Sequence, residues 1–190
     1  LNNLAVINPL RIEIETQFIT EAEIIPEHKL LTAKLADHGI TVYNNTPLLG
    51  RINDNPEEIQ QLSFKLRETG IEFHHLYIAG YGIQEDWNKE NPVALYDVVD
   101  IATRVRREGS GREIPRYIIN TKLGEVDFGL SSALLGQDKD LWIKLLPYDI
   151  VYFKSLSPEF SWPADVREDE DGRPILPLTG LIKTTDFALS

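Results

Sequence analysis

The chain has 190 residues with 42% hydrophobic and 9% aromatic content, which is typical of a globular protein with a sizeable core. Its 19 basic and 30 acidic side chains give a formal net charge of −11, which argues against nucleic acid as a partner. The absence of cysteine excludes disulfides, a thiol nucleophile and thiolate ligands from this chain.

The first part of the chain repeats one plan, in which a proline-led helix follows a polar loop and ends near glycine. Asn55 and Glu58 fit the N-cap and the acid of a capping box. Glycine fits the left-handed position that closes a helix. The predicted helices run from Pro26 to Gly39, from Pro56 to Gly70 and from Pro92 to Gly109, with an extended loop over Gly80–Asn91. Their predicted buried stripes are Ile59, Leu62, Ser63 and Leu66, and then Leu95, Val98, Val99, Ala102 and Val105.

Short β-branched or aromatic-rich runs lie between these helices and predict strands, which are parallel because helices intervene. Such an array fits an open doubly wound sheet or an arc of a βα barrel, and the periodicity alone does not choose. The predicted strands are Leu10–Thr16, Ile40–Asn44, Ile71–Ile78 and Arg116–Asn120.

The helical pattern fades after Asn120, which predicts a β-rich or loop-rich C-terminal extension over residues 123–190. Its aromatic side chains, such as Trp142 and Trp162, need cover, so we expect it to pack on residues 1–122. The dipeptide Asp171-Gly172 predicts a hairpin turn. The predicted short strands are Glu125–Leu130, Leu141–Leu145 and Asp149–Phe153.

Polar side chains follow the predicted strands, at the edge where α/β proteins bind their ligands. Uncharged amides and hydroxyls suit a neutral or zwitterionic small molecule, although those of residues 44–46 would equally serve turns and caps. The residues expected to converge on this rim are Gln17, Asn44, Asn45, Thr46, Tyr77, Gly80, Tyr81 and Asn120.

Two pairs of charged or titratable residues occur on predicted strands. Glu13 and Glu15 alternate with isoleucines, so both would face either a barrel interior or solvent. His74 and His75 are adjacent, which predicts that they face opposite sides of the sheet and do not share a metal ion.

Four segments follow one another between Ile12 and Asn120: IETQF, LADHGI, NNTPLLGRINDNPEEIQQLSFKLRETGI and HHLYIAG. In this order they resemble the lysine 2,3-aminomutase family of radical S-adenosylmethionine enzymes. The resemblance implies an α/β fold in which residues 1–122 form a partial (β/α) barrel, a TIM-like arc with three helices. The family binds a 4Fe-4S cluster on a CxxxCxxC loop, which this chain lacks. The cluster-bearing half is therefore expected upstream of Leu1.

The resemblance also implies cofactor-binding residues. Asn45 stands where the family has a glutamine that contacts S-adenosylmethionine, Gln17 where it has a histidine, and Tyr77 where it has a tyrosine beside the adenosyl group. Thr46, in the same loop as Asn45, is assigned to the cofactor with them. An amide can donate and accept hydrogen bonds in place of an amide or an imidazole.

On the substrate side the chain departs from the family. Gly80 and Asn120 stand where the family has two aspartates that grip lysine. Near Asp127 the family has the lysine that forms a Schiff base with pyridoxal phosphate, and Lys122 is the nearest replacement. Without that amine pyridoxal phosphate cannot be held covalently. The resemblance therefore implies a different, amino-acid-like substrate and no pyridoxal phosphate.

The leading hypothesis is the C-terminal portion of such a radical enzyme, inactive alone, in which the full-length protein cleaves S-adenosylmethionine reductively at its cluster. The alternative is a non-enzymatic βα module that binds a small molecule or a protein. An altered chain is a third possibility, suggested by the absence of both methionine and cysteine.

The same features give expectations about location and partners. A chain that begins at Leu1 and lacks methionine is expected to be a trimmed piece. Its strand edge at Leu10–Thr16 would then pair with the missing half of the barrel or with a second copy. No apolar run approaches the ~20 residues of a membrane span, so a cytoplasmic protein without a membrane partner is predicted.

Overall fold

The computed structural model describes residues 11–111, 113–129, 132–137, 140–177 and 182–183. Leu10 and Leu130, at the ends of two predicted strands, lie outside these residues. The strands are β1 Glu13–Thr16, β2 Thr41–Pro47, β3 Glu72–Ala79, β4 Val93–Ala94, β5 Arg116–Thr121, β6 Gly124–Asp127, β7 Ser132–Gln137, β8 Asp140–Leu145, β9 Arg167–Glu168, β10 Pro174–Pro177 and β11 Ile182–Lys183. The helices are α1 Pro26–Ala36, α2 Pro56–Thr69, α3 Gly82–Glu90, α4 Leu95–Glu108 and α5 Ile150–Leu156.

The main sheet has five strands in the order β1-β2-β3-β5-β6. The first four are parallel, as predicted, and β6 returns antiparallel to β5. The parallel strands lie side by side in the order in which the chain reaches them. Because crossovers between parallel strands are right-handed, this order keeps the connecting helices on one face of the sheet. A mixed α/β fold with a parallel sheet is thus confirmed, and the described strands form no closed barrel.

The hydrophobic core lies between that sheet and its helices. Ile59, Leu62 and Leu66 of α2 are fully buried at the predicted spacing. The stripe predicted for α4 is partly wrong, because Val99 is 46% exposed whereas Ile101 is fully buried. Both sets of positions obey the helical repeat, so packing against α2 decides between them.

Helix ends follow the sequence signals in part. The Asn55 side chain accepts a hydrogen bond of 3.0 Å from the Glu58 amide and caps α2. Gly39 and Gly70 have positive φ angles of 71° and 81°, as expected for glycine after a helix. Gly109 has a φ of −91°, so the left-handed ending predicted for α4 is wrong. The helix predicted to begin at Pro92 begins at Leu95, because β4 lies between these two residues and pairs with β11.

Two segments have a different structure from the one predicted. The expected loop Gly80–Asn91 contains α3, and so the described residues from 11 to 122 hold four α-helices rather than the three predicted. The side chains that α3 buries are Gln84 and Asn88, so it has no hydrophobic stripe that a periodicity analysis could detect. The expected strand Asp149–Phe153 is the start of α5, which the Asp149 side chain caps by accepting from the Tyr152 amide at 2.6 Å.

The C-terminal region forms a second, antiparallel sheet in the order β7-β8-β10-β9. The predicted turn at Asp171-Gly172 joins β9 to β10, with Gly172 at a φ of 74°. Ile143, Leu145 and Leu176 of this sheet belong to the same hydrophobic cluster as the main sheet. Within the part of the chain described above, no helix combines the length and apolar character needed to cross a membrane.

Candidate functional site

The face of the main sheet that points away from the helices is rich in polar side chains, and we call it the polar face. Neighbouring residues of a strand point to opposite faces, and Ile14, Val42 and Ile119 pack into the core. The polar face is formed by Glu15 and Gln17 at the end of β1, Tyr43 and Asn45 of β2, His75 and Tyr77 of β3, Glu125 of β6, and Tyr81 after β3.

Glu15 gathers the side chains on one half of this face. The Gln17 Nε2 atom donates to Tyr81 Oη at 2.6 Å and to Glu15 Oε1 at 3.3 Å. The Tyr81 hydroxyl also donates to Glu15 Oε1 at 3.5 Å, and Tyr43 is the register partner of Glu15 on β2. Burial, followed by the Glu15 carboxylate, raises the pKa of both tyrosines. Both phenols therefore remain protonated at neutral pH, and Tyr81 acts as a donor to Glu15.

Tyr77 and His75 occupy the other half. The buried Tyr77 hydroxyl donates to Glu125 Oε1 at 2.6 Å, and its oxygen lies 3.4 Å from His75 Nδ1. Burial, followed by Glu125, raises the pKa of Tyr77 well above its ordinary value. Burial, followed by His74, lowers the pKa of His75 below its ordinary value of 6.5, so this ring is neutral at pH 7.

A β-bulge places His74 and His75 on the same side, so the prediction that they face opposite sides is wrong. Asn44 pairs with Phe73 whereas Asn45 pairs with His75, so β3 has one residue more than β2 here. The two imidazole rings stack with 3.8 Å between their centroids. No cluster of three or more His, Cys, Asp or Glu side chains suited to a metal ion occurs among the described residues.

Two buried atoms on this face lack a hydrogen-bond partner, namely Asn45 Oδ1 and His75 Nε2. Asn45 is 5% exposed and His75 is 8% exposed. A buried acceptor without a donor costs about 1–3 kcal/mol, and native proteins rarely leave one unpaired. The two residues are register partners on neighbouring strands, which makes this part of the polar face a place for an additional hydrogen-bond donor.

The four residues predicted for the cofactor divide between the two faces. Gln17, Asn45 and Tyr77 lie on the polar face, whereas Thr46 points to the helix side. The Thr46 hydroxyl accepts from Asn44 Nδ2 at 2.7 Å and donates to the Phe18 carbonyl at 3.0 Å. Thr46 and Asn44 therefore hold the segment after β1 against β2, and neither side chain reaches the polar face.

The three substrate-side residues line one small cleft of about 110 Å³ between the main sheet and the C-terminal sheet. Gly80 has a φ of +93°, and a Cβ atom there would collide with the backbone carbonyl of Asn120. Any side chain at position 80 would thus be strained. The Lys122 amine forms an ion pair with Asp165, on the opposite wall of the cleft.

Three fully buried amides that sequence reasoning missed hold the loop between β2 and α2. Asn53 Oδ1 accepts from the Leu49 amide at 2.7 Å, and its Nδ2 donates to the carbonyls of Ile19 and Pro47. Gln84 and Asn88 of α3 both donate to the Leu48 carbonyl. A lone amide in a polar stretch gives no sequence signal of burial. The nearest available signal was the i, i+4 spacing of the two on α3.

No protein-family model matches the chain, and no curated protein matches it with significant similarity. The resemblance to the aminomutase family therefore stays a prediction. The function has to be inferred from the polar face and from the cleft beside Gly80.

Proposed function

We propose that residues 11–127 are part of a (β/α) barrel, with the polar face on its inner side. The supporting observation is the strand order, since four parallel strands follow one another without a reversal. A doubly wound sheet reverses its strand order and carries helices on both faces. A barrel keeps its helices outside and its ligand site at the carboxyl ends of the strands.

Within that barrel, the chain is the C-terminal portion of a radical S-adenosylmethionine enzyme related to lysine 2,3-aminomutase. The observation that carries this proposal is the convergence of Gln17, Asn45 and Tyr77, which are distant in sequence, on one polar face. The amide, amide and phenol at these positions are the groups that the resemblance assigns to the cofactor.

The polar face suits S-adenosylmethionine by charge and by hydrogen bonding. The sulfonium and ammonium groups of S-adenosylmethionine are positive, and the carboxylates of Glu15 and Glu125 lie on the polar face. Asn45 Oδ1 is a buried acceptor that still lacks a donor. When bound at a cluster, the cofactor supplies the radical that abstracts hydrogen from a substrate. The cluster ligands would lie outside this sequence, because the chain has no cysteine.

The substrate in this proposal differs from lysine, and pyridoxal phosphate is absent. Gly80 cannot be replaced by an aspartate without strain, because its φ is positive and the Asn120 carbonyl fills the space of a Cβ atom. Lys122, the nearest amine to the Schiff-base position, is paired with Asp165. A cleft of about 110 Å³ has room for a small group of a substrate.

Two experiments test this proposal. The first is titration calorimetry of the chain with S-adenosylmethionine, comparing wild type, Asn45→Leu and the distant control Asn91→Leu. We expect binding that is weakened about tenfold by Asn45→Leu alone, since one hydrogen bond to a charged ligand is worth about 1.5 kcal/mol. The second is anaerobic reconstitution of the longer protein with iron and sulfide, followed by a search for 5′-deoxyadenosine. Absence of a CxxxCxxC segment upstream would contradict the proposal.

A second candidate function is a non-enzymatic binding module for a small molecule. The observation that favours it is that side chains of this chain order one another on the polar face, through contacts such as Tyr77 with Glu125 and Gln17 with Tyr81. Thermal-shift measurements against amino acids and S-adenosylmethionine would separate the two functions. Stabilisation by an amino acid, with no effect of S-adenosylmethionine, would favour the module.

A further inference from the structure

Two tyrosines of the polar face direct their hydrogens to its carboxylates and leave acceptors for a ligand. The Tyr81 hydroxyl donates to Glu15, and the Tyr77 hydroxyl donates to Glu125. A phenol has a single hydrogen to donate, so these two oxygens have only lone pairs left for further hydrogen bonds.

The hydrogen bonds of Tyr77 also fix the tautomer of His75. The Tyr77 hydrogen points to Glu125 over 2.6 Å, so the 3.4 Å contact with His75 requires the hydrogen to lie on Nδ1. A neutral imidazole with a hydrogen on Nδ1 has a bare lone pair on Nε2. His75 Nε2 is therefore an acceptor, as Asn45 Oδ1 always is, and both atoms are buried without a donor.

The carboxylates of the polar face add negative charge beside these acceptors. Among the described residues Glu13 pairs with Arg11 at 2.8 Å and Asp127 pairs with Arg116 at 2.7 Å. No such ion pair is found for Glu15 or Glu125 in that part of the chain. Arg116, which is paired with Asp127, also acts by charge on Glu125 and His75, so the face holds more carboxylates than cations. This excess of negative charge and the two buried acceptors favour a ligand that carries both positive charge and N–H donors.

We propose that the polar face recognises a cationic nitrogen group that carries N–H donors, either a primary ammonium or a guanidinium, with Asn45 Oδ1 and His75 Nε2 as its acceptors. The inference rests on the proposed function only in taking the polar face as a binding surface. It assigns the chemistry of the ligand from the unpartnered atoms and not from the resemblance.

The experiment is NMR of the chain with ¹⁵N-labelled histidine, titrated with four probes. Propylammonium and methylguanidinium carry both charge and N–H donors, tetramethylammonium carries only charge, and propanol carries neither. We expect His75 Nε2 to begin as an unprotonated nitrogen and to shift on addition of propylammonium or methylguanidinium, while His28 in α1 does not respond. Whichever of these two probes binds tighter identifies the nitrogen group.

Variants separate recognition from folding. Glu15→Gln and Glu125→Gln change exposed side chains, and each should weaken propylammonium binding several-fold. Glu68→Gln, on the exposed side of α2, should leave binding unchanged. Asn45→Leu should weaken it about tenfold, the equivalent of one hydrogen bond.

Three outcomes would overturn the inference. They are a hydrogen on His75 Nε2 in the free chain, equal binding of tetramethylammonium and propylammonium, and an unchanged His75 resonance at saturating probe, as expected if ordered water satisfies the two atoms. Calorimetric binding of S-adenosylmethionine without a response to the small cations would overturn this inference alone. If S-adenosylmethionine does not bind but the small cations shift the His75 resonance, the proposed cofactor is overturned and this inference stands.

Discussion

Replacing Asn53 by leucine tests whether a buried amide holds the ends of β1 and β2 together. Asn53 is fully buried and makes three hydrogen bonds, to the Leu49 amide and to the Ile19 and Pro47 carbonyls. Leucine has a similar size and no polar atoms, so the change leaves three backbone groups without that partner and opens little space.

The expected loss follows from those three groups. A buried backbone group left unpaired costs about 1–3 kcal/mol, and partial access to water reduces the sum, so we expect a loss of about 4 kcal/mol in the free energy of unfolding. This is a large share of the ~5–15 kcal/mol that stabilises a typical domain.

Urea unfolding followed by circular dichroism measures this loss as a lower midpoint with an unchanged slope. Asn91→Leu is the control, because the Asn91 amide makes one exposed bond to the Trp87 carbonyl, and we expect it to cost below about 1 kcal/mol. A loss for Asn53→Leu no larger than that of the control would refute the reasoning.

Three further predictions concern single residues and are read out by urea unfolding. Burial raises the pKa of Tyr117 from 10.0 to about 12. The stabilisation by the neutral phenol is therefore complete below pH 10 and falls as the pH rises towards 12. Tyr117→Phe should weaken this fall and should cost less than ~1 kcal/mol at pH 7, because the buried hydroxyl has no hydrogen-bond partner. Burial lowers the pKa of His75, which faces His74, Glu125, Arg116 and Asp127. The free energy of unfolding should therefore fall as the pH drops below 6.5, and His75→Phe should flatten this dependence. Gly80→Ala should cost about 2 kcal/mol, whereas Gly82→Ala, with open space around it, should be neutral or stabilising.

The parallel strands and the cap of α2 could be predicted from the sequence because both depend on local signals. Strands alternate with helices, and Asn55 precedes Pro56 in a standard capping arrangement. The helix α3 could not be predicted, because Gln84 and Asn88 are buried for their bonds to the loop backbone and not for hydrophobicity. The phase of α4 could not be predicted either, since Val99 and Ile101 both fit the repeat.

For the site, the sequence placed Gln17, Asn45 and Tyr77 on one edge because parallel strands end together. It could not reveal Glu125, which reaches Tyr77 from an antiparallel strand. Thr46 was assigned to the same site because it adjoins Asn45, but strand alternation sends the two side chains to opposite faces. The partner of each polar group depends on tertiary contacts that single-sequence patterns do not contain.

The bulge at His74 makes the length of β3 a determinant of function. Before it, the core residue is Phe73, at an odd position, and after it Leu76 is a core residue at an even position. Deleting one histidine would remove the bulge, restore strict alternation and leave Leu76 in the core and Tyr77 on the polar face, whereas deleting Leu76 would turn Tyr77 inward. Conservative substitutions leave the register intact, but a one-residue deletion away from the histidine pair exchanges hydrophobic and polar faces beyond it. Among related chains, β3 should therefore tolerate changes of residue type and lose a residue only at the histidine pair.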